Sequence, residues 1–587
     1  MALVNIKIEG KPFQVEAGLT VLEAARKCGF NIPSLCAFNH GKCSKASCRV
    51  CLVEVVGARG LVASCVYPVS EGMEIIISSQ KAVEARRASV ELLLSNHRKN
   101  CLQCDKNGHC ELLEVARIVG ARDGMYIGSM TPTTLDELAP GLIRDTSKCI
   151  LCGRCIERCK EAHGISILGF ENRGFNTIVS PVENRSFANS PCLQCGQCVN
   201  VCPTGALMEN SEIAKVDAAF KAGKKVIVQT APAVRAAIAE EFGDPIGTPG
   251  TGKMVAALHR LGFYRVFDTN FGADLTIMEE ANELLERIKH GGKLPQLTSC
   301  SPGWINYLEY FYPELIPNLS TCKSPHMMMG RIIKTYFAKK HDLKAEDIFN
   351  VSIMPCTAKK YERSRKVMDE DVDAVLTTRE LARLIKRAGI NWDRLPEEEF
   401  DQDLLGQYTG AGVIFGVTGG VMEAALRTAY FWMTGKEYDK IDFHEVRGLE
   451  GVKEAELDIE GTKVKIAVTS GMANAKPLLD QIKAGKSPYT FIEVMCCPGG
   501  CINGGGQPYV KEMFLPKEGD DILDTYRQKR ASVLYSEDER LVIRQSHNNP
   551  DIKRLYDEFL GKPGSELAEE LLHTSYDANR ERYPSKK

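Results

Sequence analysis

Cys149-Ile-Leu-Cys-Gly-Arg-Cys-Ile-Glu-Arg-Cys159 and Cys192-Leu-Gln-Cys-Gly-Gln-Cys-Val-Asn-Val-Cys202-Pro203 repeat one spacing, Cys-x2-Cys-x2-Cys-x3-Cys. Three cysteines two residues apart face one cubane only from a looping backbone, and the fourth crosses to the other cluster. Cys149, Cys152, Cys155 and Cys202 are therefore expected to hold one [4Fe–4S] cluster, and Cys159, Cys192, Cys195 and Cys198 a second. Zinc ribbons and structural cysteines do not show this doubled pattern. Residues 140–210 are read as a two-cluster domain that moves electrons.

Seventeen of the 23 cysteines lie in the first 202 residues. So many thiols predict metal sites in a reducing, cytoplasmic setting rather than disulfides. Upstream, Val4, Ile6 and Ile8 alternate as a half-buried strand, and Lys11-Pro12 is read as the hairpin turn. Thr20-x-x-Glu23 is a capping box opening a helix whose apolar face includes Cys28. Five cysteines then compete for four positions of a [2Fe–2S] cluster. Cys43-x4-Cys48-x2-Cys51 fits plant-type spacing. Cys36-x11-Cys48-x2-Cys51-x13-Cys65 instead resembles the ferredoxin domain of respiratory complex I and of hydrogenases, and this set is favoured. Residues 1–79 are thus expected to form a β-grasp ferredoxin domain.

His97-x3-Cys101-x2-Cys104-x5-Cys110 follows an amphipathic helix around Val90 to Leu94. Three cysteines leave a cubane one ligand short, and His97 stands where the fourth is needed. The pattern resembles the cubane held by one histidine and three cysteines in complex I and iron-only hydrogenases. It assigns residues 80–139 to a third [4Fe–4S] cluster.

From residue 211 the pattern alternates between strands and helices, as in Lys224 to Gln229. Thr377-x-x-Glu380 caps a helix with Leu381, Leu384, Ile385 and Ala388 on one face. Three segments carry further chemistry: Thr298-Ser-Cys-Ser-Pro-Gly-Trp304, Met354-Pro-Cys-Thr-Ala-Lys-Lys-Tyr-Glu362 and Glu493-Val-Met-Cys-Cys-Pro-Gly-Gly-Cys501. They resemble the signature motifs of the [FeFe]-hydrogenase family, closest to large subunits of NAD(P)-linked or electron-bifurcating complexes. The resemblance implies an α/β domain over 211–520 and an H-cluster, a cubane bridged to a diiron unit. Cys356, Cys497 and Cys501 match cubane ligands, Lys359 the lysine that holds a cyanide, and Met354 and Met495 pocket residues. Cys300, Glu280, Ser320, Glu283 and Arg287 match a proton relay.

The family has a second cysteine where Ser301 stands, and a serine hydroxyl is a poor iron ligand at neutral pH. Cys322 and Cys496 replace alanines, and His326 replaces a glutamine. These changes predict a rebuilt pocket holding a differently ligated cluster in an electron-transfer subunit. Cys300, Cys322, Cys496 and His326 are then candidate substitutes. The alternative is a working hydrogenase subunit with Cys300 or Ser301 completing the cubane.

Gly247-Thr-Pro-Gly-Thr-Gly-Lys253 has phosphate-loop spacing but places Met254 where a hydroxyl must meet magnesium. No Gly-x-Gly-x-x-Gly follows a strand, so nicotinamide and flavin are expected on partner subunits, with ferredoxin and a separate hydrogenase module as further partners. The formal charge of −2 does not call for nucleic acid, and no stretch is apolar enough to span a membrane. Residues 521–587 read as a charged, helix-prone tail broken at His547-Asn-Asn-Pro550 and Gly561-Lys-Pro-Gly564.

Overall fold

A computed structural model describes residues 2–37, 45–368, 371–437, 442–459, 462–510 and 522–577. Its first strand, Leu3–Ile8, pairs antiparallel with Lys11–Glu16. The turn is Glu9-Gly10, both at positive φ, and not Lys11-Pro12, which begins the second strand. Positive φ at both central residues suits the twist of a two-residue hairpin. Pro12 is tolerated because its strand lies at the edge of a five-stranded sheet. The sheet packs on Val21–Lys27, a helix opened by the Thr20/Glu23 capping box. Cys28 caps that helix and is half-buried, so it is not the core residue expected.

Two four-stranded sheets build the α/β region. One is fully parallel, in the order Arg265–Asp268, Lys225–Thr230, Ile348–Met354, Ala374–Thr377. Its near-continuous apolar strands are covered on both faces by helices. The other runs Gln296–Leu297, Phe491–Met495, Thr462–Ser470, Val452–Ile459, with only the last pair antiparallel. In the helix Thr378–Arg387, Leu381, Leu384 and Ile385 are buried as expected, whereas Ala388 is its exposed cap. The Gly247–Lys253 loop is filled by protein: a Cβ at Gly250 would meet Ile238 and Trp392, and one at Gly252 would strike Glu397.

Glycine contact joins the cluster region to the α/β region. A Cβ on Gly505 would lie 2.1 Å from the Cys195 carbonyl oxygen, and one on Gly196 2.8 Å from Gly505 Cα. Only glycines allow the two loops to approach so closely. Gln197 Nε2 donates to the Asn503 carbonyl at 2.7 Å and Thr357 Oγ1 to that of Gln194 at 2.6 Å. Nearby, Arg379 donates to Glu209 Oε2 at 2.7 Å and to the Gly505 carbonyl at 2.7 Å, while Arg383 reaches Glu209 Oε1 at 2.9 Å. Glu209 is fully buried, and Arg379 and Arg383 hold its carboxyl far below the usual range against the opposing effect of burial. Glu209→Ala removes the carboxylate from the buried Arg379 guanidinium and from the partly exposed Arg383. Chemical denaturation should show a loss of about 3–5 kcal/mol, the cost of breaking a buried pair.

The C-terminal segment is helical, as expected, and packs on the core. Ile522–Arg540 docks through Arg530, which bonds Glu240 at 2.6 and 2.7 Å. Asn549 caps Pro550–Leu555, and Glu566–Leu572 follows the break at Gly561.

Candidate functional site: four cysteine sets leading to a fifth

Four thiols of the β-grasp domain converge. Cys36 Sγ lies 3.4 Å from Cys48 Sγ, Cys36 and Cys51 both meet Cys65, and all four are buried. Cys43, the competing candidate, lies outside the described residues. His97, Cys101, Cys104 and Cys110, the second set, line a cavity. The His97 ring bonds the Lys148 backbone, and its buried Nδ1 has no hydrogen-bond partner among the described residues. An unpaired buried nitrogen is costly, and a bond to iron removes that cost. His97→Ala should therefore lose one cubane's worth of iron and acid-labile sulfide, with the other clusters' paramagnetic signals retained. Full iron content in that variant would refute ligation.

Cys149, Cys152, Cys155 and Cys202, the third set, line a cavity, and Cys159, Cys192, Cys195 and Cys198, the fourth, line another. Each cysteine loop runs into a helix, Arg154–His163 or Gln197–Val201, and the two helices pack together. The fourth cysteine of each run, on its helix or just beyond it, thereby faces the opposite loop. His163 Nε2 lies 3.1 Å from Cys195 Sγ, a neighbour that the cysteine spacing gave no means to find.

The fifth site is a cavity that spans about 810 Å³ together with its opening to solvent. It opens beyond the carboxyl ends of five parallel strands: Lys225–Thr230 leads to Pro232, Arg265–Asp268 to Thr269, Ile348–Met354 to Cys356, Gln296–Leu297 to Cys300, and Phe491–Met495 to Cys497. Such strand ends are the usual ligand crevice of α/β sheets. Cys356, Cys497 and Cys501 line it with Cys300, Ser301, Cys496, Met354, Met495 and Lys359. Burial, with Cys497 and Cys501 nearby, raises the Cys356 thiol well above its ordinary range. Several thiols facing one apolar space form a donor set suited to an iron–sulfur cluster. Lys359 Nζ donates to the Cys300 carbonyl at 3.0 Å and to Glu362 Oε2 at 2.8 Å. Glu362, three residues on in the same motif, also meets His326 Nε2 at 2.7 Å. Burial works against its charge, but Lys359 and His326 hold its carboxyl down at about 2.

The relay candidates form a line from this cavity. Cys300 opens into it, and Glu280 is near enough to raise the Cys300 thiol further after burial has done so. Glu280 and Glu283 stand on the helix Asn270–His290. Both Glu280 oxygens lack a hydrogen-bond partner among the described residues, with Ser320 and the Ser299 backbone as close polar neighbours. Ser320 Oγ donates to Glu283 Oε2 at 2.7 Å, and Arg287 Nη2 to Glu283 Oε1 at 2.6 Å.

Two proposed substitute ligands stand differently from expectation. Cys322 does not line the cavity; it lies behind Ser320, beside Glu283 and His573. Its backbone bridges to His573, and this pairing sets the direction of its side chain. His326 lines the cavity, but Nδ1 meets Ser352 Oγ at 3.1 Å and Nε2 meets Glu362, which occupies both nitrogens. Cys496 remains. Its backbone N–H donates to Ser301 Oγ at 3.1 Å, and its thiol touches those of Cys497 and Cys195.

A family described as "Iron only hydrogenase large subunit, C-terminal domain" covers residues 224–505, and "Iron hydrogenase small subunit" covers 524–579. The chain is 48% identical to the NADP-reducing hydrogenase subunit HndD of Solidesulfovibrio fructosivorans, over 98% of this chain and 99% of that one.

The chain belongs to the iron-only hydrogenase family.

It is an oxidoreductase subunit of hydrogenase type. Ahead of the hydrogenase domain lie matches to a "2Fe-2S iron-sulfur cluster binding domain" at 1–80, the "NADH-ubiquinone oxidoreductase-G iron-sulfur binding region" at 86–124 and a "4Fe-4S dicluster domain" at 148–206. Iron hydrogenase 1 of Clostridium pasteurianum is 41% identical over 97% of this chain and 99% of its own. A variant of the [FeFe]-hydrogenase HydA1 from Chlamydomonas reinhardtii superposes with a TM-score of 0.55 at 41% identity, covering 63% of this chain and 99% of that one. No helix among the described residues is long and apolar enough to cross a membrane.

Proposed function

We propose that this chain is the hydrogen-converting and electron-collecting subunit of a cytoplasmic, NADP-linked, electron-bifurcating hydrogenase complex. The observation that carries the reading is the line Cys300, Glu280, Ser320, Glu283, Arg287, which leads from an apolar cysteine cavity toward the surface. A pocket that only passed electrons would need no proton-bearing side chains behind it.

In this reading Cys36, Cys48, Cys51 and Cys65 hold a [2Fe–2S] cluster, and His97 with Cys101, Cys104 and Cys110 a cubane. The crossed cysteine sets of the two-cluster domain hold two more, with domain limits at 79, 139, 210 and 520. Cys356, Cys497 and Cys501 hold the cubane of an H-cluster, and Cys496 supplies the thiolate that Ser301 cannot. When bound, the H-cluster supplies the redox centre at which hydrogen, protons and electrons are exchanged. Lys359, fixed by Glu362, presents an ammonium to the cavity. Cys300 and Glu280 hold and pass protons, while Met354 and Met495 keep water out. Gly196 against Gly505 brings the last cubane loop onto the cavity wall, so electrons cross a short gap. Nicotinamide, flavin and further iron–sulfur subunits are placed on partners.

The rebuilt, hydrogen-inactive pocket keeps two supports, the serine at 301 and the thiol of Cys496. Infrared spectroscopy of the anaerobically purified subunit separates the readings. Intrinsic CO and cyanide stretching bands are expected, and their absence from a fully iron-loaded preparation would favour the inactive pocket.

A further inference from the structure

Glu283, Cys322 and His573 each bring a donor atom to one place, and these atoms all lie within 4.8 Å of one another. Cys322 Sγ is 3.9 Å from Glu283 Oε2. Three distant chain segments meet here: the helix Asn270–His290, the strand-like run after Ser320, and the end of the C-terminal segment. Thr574 N–H donates to the Thr321 carbonyl at 2.8 Å, pinning His573 against Cys322. The His573 ring is oriented from both sides, by Thr321 Oγ1 at 2.8 Å on Nδ1 and Glu279 Oε2 at 3.2 Å on Nε2. Glu279 is itself held by Tyr556 and by the Gly564 N–H at 2.9 Å. Cys322 is fully buried, whereas the His573 and Glu283 side chains remain 6% and 14% exposed, which leaves an entry from solvent.

The proton line needs neither Cys322 nor His573, since Ser320 already joins Glu283 directly. A thiol, an imidazole and a carboxylate are the donors that zinc-class cations select. A carboxylate on the imidazole, as Glu279 provides on Nε2, is the usual outer partner of a metal-binding histidine, so Nδ1 is the metal-facing nitrogen and must exchange its contact with Thr321 Oγ1 for the cation.

We propose that Glu283, Cys322 and His573 form a binding site for a zinc-class divalent cation, which clips the C-terminal segment to the large domain and withdraws Glu283 from proton transfer. Binding replaces the Cys322 S–H bond with a metal–sulfur bond and releases that proton to solvent; no electron moves. The site itself stands on the donor geometry. Its effect on turnover rests on the relay reading above.

The test uses the anaerobic holoprotein, freed of adventitious zinc and titrated with Zn²⁺ against a chelator. One tight equivalent is expected. X-ray absorption at the zinc edge, to which iron clusters contribute nothing, should show a single sulfur at about 2.3 Å with nitrogen and oxygen near about 2.0 Å. Cys322→Ala should lose the sulfur shell and bind at least thirtyfold more weakly; His573→Gln should keep the sulfur and bind at least tenfold more weakly. Absence of a tight equivalent, or a sulfur shell unchanged in Cys322→Ala, overturns the site. Zinc should slow hydrogen turnover of the unsubstituted protein and not of Cys322→Ala. Zinc that binds through sulfur and leaves turnover untouched would uphold the site and overturn the Glu283 relay.

Discussion

In the proposed hydrogen-converting subunit, Glu280→Gln is expected to lower hydrogen turnover by about 10²–10³-fold, within the range that positioned proton-transfer groups contribute, and to leave iron content and cluster spectra unchanged. Glutamine keeps the shape of the side chain but cannot pass a proton along the line. Glu280 is suited to that task because it is buried without a charged partner, and burial, followed by the nearby Glu283, pushes its carboxyl up to about 8. At neutral pH it is a buried acid that still holds its proton. The same shift has a consequence for stability. In the unfolded chain the carboxyl ionises near its ordinary 4.5, whereas in the folded protein it stays protonated to about 8. Folded protein therefore binds the extra proton between these values, and stability falls as pH rises through the window, by up to about 1.4 kcal/mol per unit. Glu280→Gln escapes this loss. It should melt above the parent at pH 8–9 and lose that advantage below pH 4.5. Near-parental turnover in the glutamine variant would remove Glu280 from the relay.

The grouping of the cysteines was legible in the sequence because each run is local. Cys149 to Cys159 and Cys192 to Cys202 each contain their own loop and helix, so spacing alone anticipates the cavities that they line. Capping boxes at Thr20 and Thr377 were readable for the same reason. Lys11-Pro12 reads as a turn because proline favours turns, but the turn lies two residues earlier, since an edge strand accepts proline equally well. What the sequence concealed is side-chain direction across long separations. Cys322 and His326 stand four residues apart and looked like parts of one rebuilt pocket. Pairing with His573, some 250 residues on, turns the first away, and Glu362 engages the second. His163 beside Cys195 and the contact of Gly196 with Gly505 depend on tertiary packing in the same way.

Cys496→Ala is expected to cost at least about a hundredfold in turnover, since removing even the outer partners of metal ligands costs 10–100-fold. The argument begins from Ser301, whose hydroxyl accepts the Cys496 N–H at 3.1 Å and so lies directly against the segment that gained a thiol. A lost cysteine and a gained one in contact read as an exchange of ligand between neighbouring loops. The cavity that Cys496 shares with Cys356, Cys497 and Cys501 then offers four thiols for four corners of a cubane. The double variant Cys496→Ala, Ser301→Cys should restore both the cubane and turnover, and Ser301→Cys alone should change little. Cys496 also touches Cys195, a proposed ligand of the neighbouring cubane, so it could act on that cluster instead. Mössbauer and paramagnetic spectra separate the two roles. Loss of the hydrogenase-domain cubane supports ligation, whereas a shifted signal from the Cys159, Cys192, Cys195, Cys198 cluster, with the other intact, overturns it. Retention of both clusters and full turnover in Cys496→Ala would return the fourth position to Ser301 or Cys300.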